Sequence, residues 1–366
     1  MSKKIIFTVI NDLTCDQRMQ RICHSLSSAG YKVTLLGREL AHSVPLSEQS
    51  FEQKRLRLWF KQGKLFYIEY NIRLFFHLLT HSYDIYGATD LDTLLPHFLV
   101  SNIKNKQYVY DAHEYFAELP EIVERPLVRF AWKSLERLIV PRTKFAYTIN
   151  QTYADLFMQE YGTKFAVIRN ATVLRPLPDE RVEKPKECYI LYQGAVNVGR
   201  GIEQMIEAMR WIECKLYVCG EGDVLEQCKQ LAINKKVADK VHFWGWIAPD
   251  RLINFTQNAT LGFTFFTEQG KSYYYSLANR FFDYFHNGIP QLCVDYPEYR
   301  HINEQFEVAV LLNRLDPKTI ADAANNLLRD SKLYTKLHQN CLKARESINW
   351  QAEEQKLIDF YNNIKL

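Results

Sequence analysis

No Cys-x-x-Cys pair occurs among the eight cysteines (Cys15, Cys23, Cys188, Cys214, Cys219, Cys228, Cys293 and Cys341), which argues against a zinc ribbon and a thioredoxin-type redox motif. Several of them sit inside apolar runs, where a free thiol behaves as a small hydrophobe, so a reducing cytoplasm is the expected compartment. No uninterrupted apolar stretch approaches the ~20 residues that span a bilayer. The N-terminal run Lys4–Ile10 is cut off by Asn11 and Asp12, too early for the about 7–15 apolar residues of a signal peptide, and is expected to be a first buried strand. The net charge of +4 is no domain-wide basic excess, so no nucleic-acid partner is expected. The first strand leads into Asn11-Asp12-Leu13 rather than a glycine-rich turn, which counts against a nicotinamide-dependent oxidoreductase. Internal repeats and low-complexity tracts are also missing.

What is present is an alternation of strand and helix. The 366 residues suggest two domains at roughly 100–200 residues each, and a hydrophobic fraction of 47% is ample for two cores. Strands are expected at Lys4–Ile10, Lys32–Gly37, Asp84–Ala88, Gln107–Asp111 and Phe145–Ile149, with a helix over Cys15–Ala29 ending at Gly30. Residues 171–187 hold three prolines and many charges and read as a linker. After them the alternation restarts with strand Cys188–Gln193, helix Gly201–Ala208, strand Cys214–Cys219, helix Val224–Asn234 and strand Lys240–Phe243. The expected fold class is therefore α/β, with two doubly wound Rossmann-like domains: residues 1–170 and 188–345, and a last helix within 346–366 packing back on the first. In such folds ligands bind at the C-terminal ends of the strands, which places the expected cleft between the domains.

The second domain carries the sharper signals. Gly194-Ala-Val-Asn-Val-Gly-Arg-Gly201 joins a strand to a helix, so its glycines would let backbone approach a phosphate and Arg200 would add a fork of donors. It is not a Walker A loop, because Arg200 and Gly201 replace the Lys and Ser/Thr. Gly220-Glu-Gly-Asp223 follows another strand, where Gly220 can flank a ligand or Asp223 simply cap a helix. In the segment from Lys271 to Pro290, Ser276 is expected to cap a helix running to Gly288. Its first N–H groups, around Asn279, together with Lys271 or Arg280, would meet phosphate oxygens, and Asp283 two turns in would accept ribose hydroxyls. A solvated helix-face charge is the alternative for Asp283. Trp244-Gly-Trp246 would neighbour a base or pack in the core.

In the first domain His113 and Glu114 lie just past the strand ending at Asp111, where cleft residues sit. Asp12, Asp16 and Arg18 follow the first strand and are expected on the same rim, binding an acceptor or capping a helix. Asp90-Leu-Asp92 has the D-x-D spacing of some metal sites, but it opens a helix, so an N-cap role for Asp90 is preferred and no metal ligand is assigned. Two segments, Lys54–Lys61 leading to Ile72–Leu79 and Arg125–Ile139, mix cations with aromatics. They would suit an anionic membrane surface or be core helices with a solvated basic face.

Together, the segments Asn11–Arg18, Tyr110–Phe116, Gln193–Gly201, Gly220–Asp223 and Ser276–Pro290 make the chain resemble, over nearly its whole length, the retaining family-4 glycosyltransferases of the GT-B fold. The resemblance implies transfer of a sugar from a UDP- or GDP-sugar to a hydroxyl of a glycan or lipid-linked acceptor, with retention and without a metal or other cofactor. It places the second Glu of the family's pair on Asp283, the diphosphate Lys on Arg200 and the sugar-contacting His on His113. The first Glu is replaced by Tyr275 and the diphosphate Arg by Ala195, so Lys271 or Arg280 would have to compensate. It also implies work in polysaccharide or lipid-linked glycan assembly, in the cytoplasm or peripherally on the inner face of its membrane. A sugar-nucleotide epimerase on the same fold, or a non-catalytic sugar-nucleotide-binding subunit, remains the alternative.

Overall fold

The computed structural model describes residues 2–14, 16–41, 43–177, 188–267 and 270–365. The chain divides into two compact units, Met1–Asn170 with Ala352–Leu366, and Ala171–Gln351.

In the first unit the elements run β1 (Lys4–Thr8), α1 (Gln17–Ser28), β2 (Lys32–Arg38), β3 (Glu52–Leu56), α2 (Gly63–Thr80), β4 (Ile85–Thr89), α3 (Leu91–Lys104), β5 (Gln107–Ala112), α4 (Pro120–Val123), α5 (Pro126–Ile139), β6 (Phe145–Thr148), α6 (Gln151–Tyr161) and β7 (Ala166–Val167). All strands pair in parallel, in the order β3-β2-β1-β4-β5-β6-β7. β1 and β4 are buried along almost their whole length, as strands covered by helices on both faces must be. β3, Glu52-Gln-Lys-Arg-Leu56, is a charged edge strand without the apolar pattern that would have announced it. Asp16 caps α1 by accepting from the Met19 amide at 2.9 Å, and Gly30 turns the chain with φ +91°. Cys15, the expected first residue of that helix, lies outside the described residues.

The second unit runs β8 (Tyr189–Gln193), α7 (Ile202–Ala208), β9 (Lys215–Cys219), α8 (Leu225–Asn234), β10 (Val241–Gly245), α9 (Pro249–Asn258), β11 (Leu261–Thr264), α10 (Lys271–Tyr274), α11 (Asn279–His286), β12 (Gln291–Val294), α12 (Pro297–Phe306), β13 (Ala309–Leu312), α13 (Pro317–Arg329), α14 (Ser331–Ser347) and the start of α15 (Trp350–Asn362). Its parallel sheet has the order β10-β9-β8-β11-β12-β13. One core, including Ile190, Ile206, Val218 and Phe263, extends to α13. Another gathers Phe281, Phe282 and Phe285 of α11 against Tyr299 and Ala344.

Residues 171–177 are irregular and belong with the second unit, while residues 178–187 of the expected linker lie outside the described residues. Most of α15 belongs with the first unit. There the Tyr361 ring lies 5.9 Å from Phe7 and 6.3 Å from Tyr147, and Tyr31 donates to Asn362 at 2.7 Å. The cysteines differ from expectation in one respect: Cys188 and Cys214 form a disulfide, their Cα atoms 5.3 Å apart. The reason is topological, since β8 and β9 are neighbours and begin side by side. Among the described residues no helix is long and apolar enough to cross a membrane.

Candidate functional site

In the second sheet β8 has β9 on one side and β11 on the other, so the connections leave β8 and β11 in opposite senses. The crevice at such a reversal is where open α/β sheets bind ligands. The loop after β8, residues 194–201, is tied to the loop after β9 by main-chain bonds: Gly194 N–H to Cys219 O at 3.0 Å, Val196 N–H to Glu221 O at 2.9 Å and Val224 N–H to Val196 O at 3.1 Å. A Cβ at Gly220 would fall 1.8 Å from Gly194 O. Gly220 is thus required by loop-on-loop contact whether or not a ligand lies nearby.

Arg200 and Arg280 converge on this edge. The Arg200 guanidinium stacks on Phe266 and Tyr273, 4.9 and 4.7 Å from the ring centroids. That of Arg280 stacks on the same Phe266 at 4.8 Å and on Tyr192 at 5.0 Å, and donates to Phe265 O at 3.1 Å. Among the described residues neither Arg makes an ion pair, and both buried Nε atoms lack a hydrogen-bond partner. Two cations sharing one aromatic platform without an acid are poised for an external anion. Gly194 lies beside Arg280 and has φ +128°, a backbone conformation that favours glycine.

Asp283, in α11, accepts from Thr172 Oγ1 at 2.6 Å and from Gln193 Nε2 at 2.8 Å, and Gln193 is held in turn by Thr256 at 2.7 Å. It is a positioned carboxylate rather than a solvated helix-face charge. The helix expected from Ser276 to Gly288 is α11, which starts later, at Asn279; the short α10 precedes Ser276, and Ser276 caps neither. Its Oγ donates back to Tyr273 O at 2.8 Å, and Ala278, with extended backbone (φ −72°, ψ 142°), occupies the cap position of α11. The Tyr299 hydroxyl accepts from Ala278 N–H at 3.0 Å and holds the break. Lys271 and Asn279 are exposed at the first turns of α10 and α11, and Tyr275 is half-buried, its ring 4.9 Å from that of Tyr274. Trp244 and Trp246 are exposed, not core; Trp244 leans on Tyr217 and Phe255.

In the first unit the sheet order reverses between β1 and β4, and the loops there carry the other candidates. Two backbone outliers mark this edge, Leu13 (φ +74°) and Asp90 (φ +58°), a conformation a non-glycine residue adopts at a cost. Asp90 occupies the cap position of α3 but caps nothing. Its Oδ1 accepts from the backbone N–H groups of His113 at 2.8 Å and Glu114 at 3.1 Å, and its Oδ2 lies 3.8 Å from His113 Nδ1. Burial, with the charges of Arg18 and Arg21, pushes the His113 imidazole down to about 3. The ring is therefore neutral at physiological pH and its contact with Asp90 is not an ion pair. Burial, with Glu114, pushes Asp92 up to about 7. Asp90 is also raised, by burial and then by the charges of Glu114, Asp92 and Asp111.

Of the expected acceptor-side residues, Glu114 is exposed on the rim. Asp16 is the α1 cap and also accepts from Asn11 Nδ2 at 2.6 Å. Asp12 accepts from Thr14 N–H at 3.2 Å and from Ser43 Oγ at 3.0 Å. Arg18 is not on the rim: it is 2% exposed and paired at 2.8 Å with Asp111, itself 1% exposed. The first turn of α1 points it under the sheet edge, where it supports the strand that carries His113. Phe266, Tyr192, Thr172 and Gln193 escaped sequence reasoning as site residues. Tyr192 and Gln193 lie in an apolar strand and look like core, while Thr172 and Phe266 lie in the expected linker and in a loop, where nothing local marks them.

This pair of Rossmann-like units, each a parallel sheet with helices, has the GT-B glycosyltransferase fold. Residues 176–344, most of the second unit, match the family model described as Glycosyl transferases group 1. No curated protein sequence matches the chain. Among solved structures, sucrose-phosphate synthase from Thermosynechococcus elongatus superposes with a TM-score of 0.83 at 16% identity, covering 98% of each chain. HepE from Anabaena, solved in complex with UDP-glucose, gives 0.77 at 12% identity over 99% of this chain and 100% of its own. WaaG, a glycosyltransferase involved in lipopolysaccharide biosynthesis, gives 0.75 at 16% identity over 98% and 100%.

Proposed function

We propose that the protein transfers a sugar from a nucleotide-diphosphate-sugar, a UDP- or GDP-sugar, to a hydroxyl of a glycan or lipid-linked acceptor. The observation that carries this reading is the pair Arg200 and Arg280 on Phe266, without an acidic partner among the described residues, at the sheet reversal of the unit that matches the group 1 model. A diphosphate leaving group gains negative charge as the glycosidic bond breaks, and preorganised cations there stabilise that charge more than they stabilise the bound donor. Arg280 takes the part of the missing Arg at Ala195, and Lys271 lies exposed at the start of the preceding α10. Asp283, held in place by Thr172 and Gln193, is the carboxylate that accepts the ribose hydroxyls in this reading.

His113 orients the sugar as a neutral imidazole and is no strong base, given its lowered proton affinity. Asp90 is a positioning residue that holds the His113–Glu114 backbone. Retention follows from the family resemblance: the acceptor hydroxyl attacks from the face the phosphate leaves and passes its proton to that phosphate. In this reading the chain's own cations neutralise the diphosphate, and the reaction runs without a metal.

The test is donor consumption by the pure protein in EDTA, across UDP-, GDP- and ADP-sugars, with and without a lipid extract. Acceptor-dependent transfer from one donor, giving an α-glycoside from an α-donor by NMR, is expected. An inverted product sinks the retention. Isomerised donor without acceptor identifies an epimerase, and binding without turnover, with Mg²⁺ or Mn²⁺ added as well, identifies a binding subunit. Arg200→Ala is expected to lower kcat by about 10²–10³-fold, as loss of one charge-stabilising donor does.

A further inference from the structure

A surface helix ordinarily buries an apolar stripe, yet the buried positions of α5 are Lys133, Glu136 and Ile139. Lys133 belongs to the basic run Arg125–Ile139 but is turned inward, its side chain 11% exposed. The Nζ stands 3.0 Å from the Glu136 carboxylate, which is fully buried, and 3.0 Å from both carboxylate oxygens of Glu160 in α6. It also donates to the Tyr161 hydroxyl at 3.0 Å, and that hydroxyl donates onward to Glu136 at 2.7 Å. Glu118 supplies a third carboxylate, 4.0 Å away.

Two members of this cluster come from the loop after β5. The Tyr115 ring lies 5.0 Å from the Lys133 ammonium, and its hydroxyl donates to Glu160. Glu118 closes a single turn with Tyr115, its N–H donating to Tyr115 O at 2.9 Å. Directly before Tyr115 stand His113 and Glu114. The loop is therefore fastened at both ends, by Asp90 on the amides of His113 and Glu114 and by the Lys133 cluster on Tyr115 and Glu118.

Stability alone is a poor reason to bury these charges. Desolvation offsets much of the attraction, and apolar side chains of the same volume are often as stable or more so. What the charges add is direction. Glu118, Glu136 and Glu160 are balanced by Lys133 and by Arg129, which is 43% exposed and 2.6 Å from Glu118. Without Lys133 the three carboxylates would share that one half-exposed cation, and their repulsion would push the loop and α6 away from α5.

We infer that Lys133 is a positioning residue: by gathering Glu118, Glu136 and Glu160 it seats the loop of residues 113–118 and fixes where His113 and Glu114 stand at the end of β5. The consequence for rate rests on the transferase reading; the consequence for the loop does not. A small displacement of a sugar-orienting group is enough to slow turnover by one to two orders of magnitude. The nucleotide-side residues Arg200, Arg280 and Asp283 belong to the other unit, so donor affinity is expected to hold.

The experiment compares the parent with Lys133→Met, which keeps the apolar stem and removes the charge, and with the double variant Lys133→Met, Glu136→Met. The double variant loses one charge of each sign and regains the stability that an unpaired buried carboxylate removes. Hydrogen–deuterium exchange, melting temperature and steady-state transfer are measured on each full chain. Expected in both variants is exchange of amides 113–119 at least about tenfold faster, with kcat down about 10–100-fold and donor KM within about twofold of the parent. The double variant is expected to melt close to the parent and still be slow. Recovery of loop exchange together with melting temperature in the double variant overturns the inference, because it assigns Lys133 to stability alone. Unchanged exchange of 113–119 in both variants overturns it as well. If the parent transfers no sugar, the transferase reading fails by itself, and exchange of the loop still decides the role of Lys133.

Discussion

Asp90 and Asp92 show how two side chains two positions apart acquire different work. Asp90 points back to the loop after β5 and satisfies two of its amides, at the expense of a left-handed backbone. Asp90→Ala should leave nucleotide affinity unchanged, because the donor residues are on the other unit, yet lower kcat about 10–100-fold by freeing His113. Asp90→Asn, which keeps an acceptor oxygen, should restore most of the rate. Parallel binding and turnover measurements check this, and equal losses in both would mean a general collapse. Asp92 makes a pH prediction. Its carboxyl is raised from an ordinary 3.8 to about 7, so the folded protein holds a proton that the unfolded chain has released between those values. The stability this contributes is full below about pH 4 and lost as pH rises through 7. Asp92→Asn should therefore be more stable than the parent at pH 8 by roughly 1–3 kcal/mol, with the gain fading toward pH 4 in thermal melts.

At the scale of elements, the loops after β8 and β9 behave as one body. Gly220→Ala drives a methyl into Gly194 O, a contact of backbone with backbone that no rotamer relieves. It should cost about 2 kcal/mol or more in urea unfolding and weaken nucleotide binding with it. The start of α11 is what local reasoning misjudged. A Ser followed by an amphipathic run has the look of a cap and a helix, and Ser276 lost that role only because Tyr273 O and Tyr299 compete for the same turn. β3 was missed for the opposite reason: its residues are charged, and it is a strand because β2 has a free edge beside it.

For the whole molecule, the two units have separate cores, and α15 is the piece of chain that returns to the first. Tyr361 is fully buried among Phe7, Tyr31 and Tyr147. Tyr361→Ala should cost the first unit about 3–5 kcal/mol while the second melts as before, resolved as two transitions by calorimetry. A uniform shift of both would contradict separate cores. The alternation of strand and helix, the α/β class and the glycine-bearing loops were legible in the sequence by itself, because hydrophobic period and backbone freedom act over a few neighbouring residues. Which side chains meet was decided only by the tertiary structure. Arg200 and Arg280 share one phenyl ring, Arg18 is drawn beneath the rim by Asp111, and the outer face of α2 stays apolar after its inner face is buried. Each of these depends on the order in which parallel strands assemble, a long-range choice that no local period encodes.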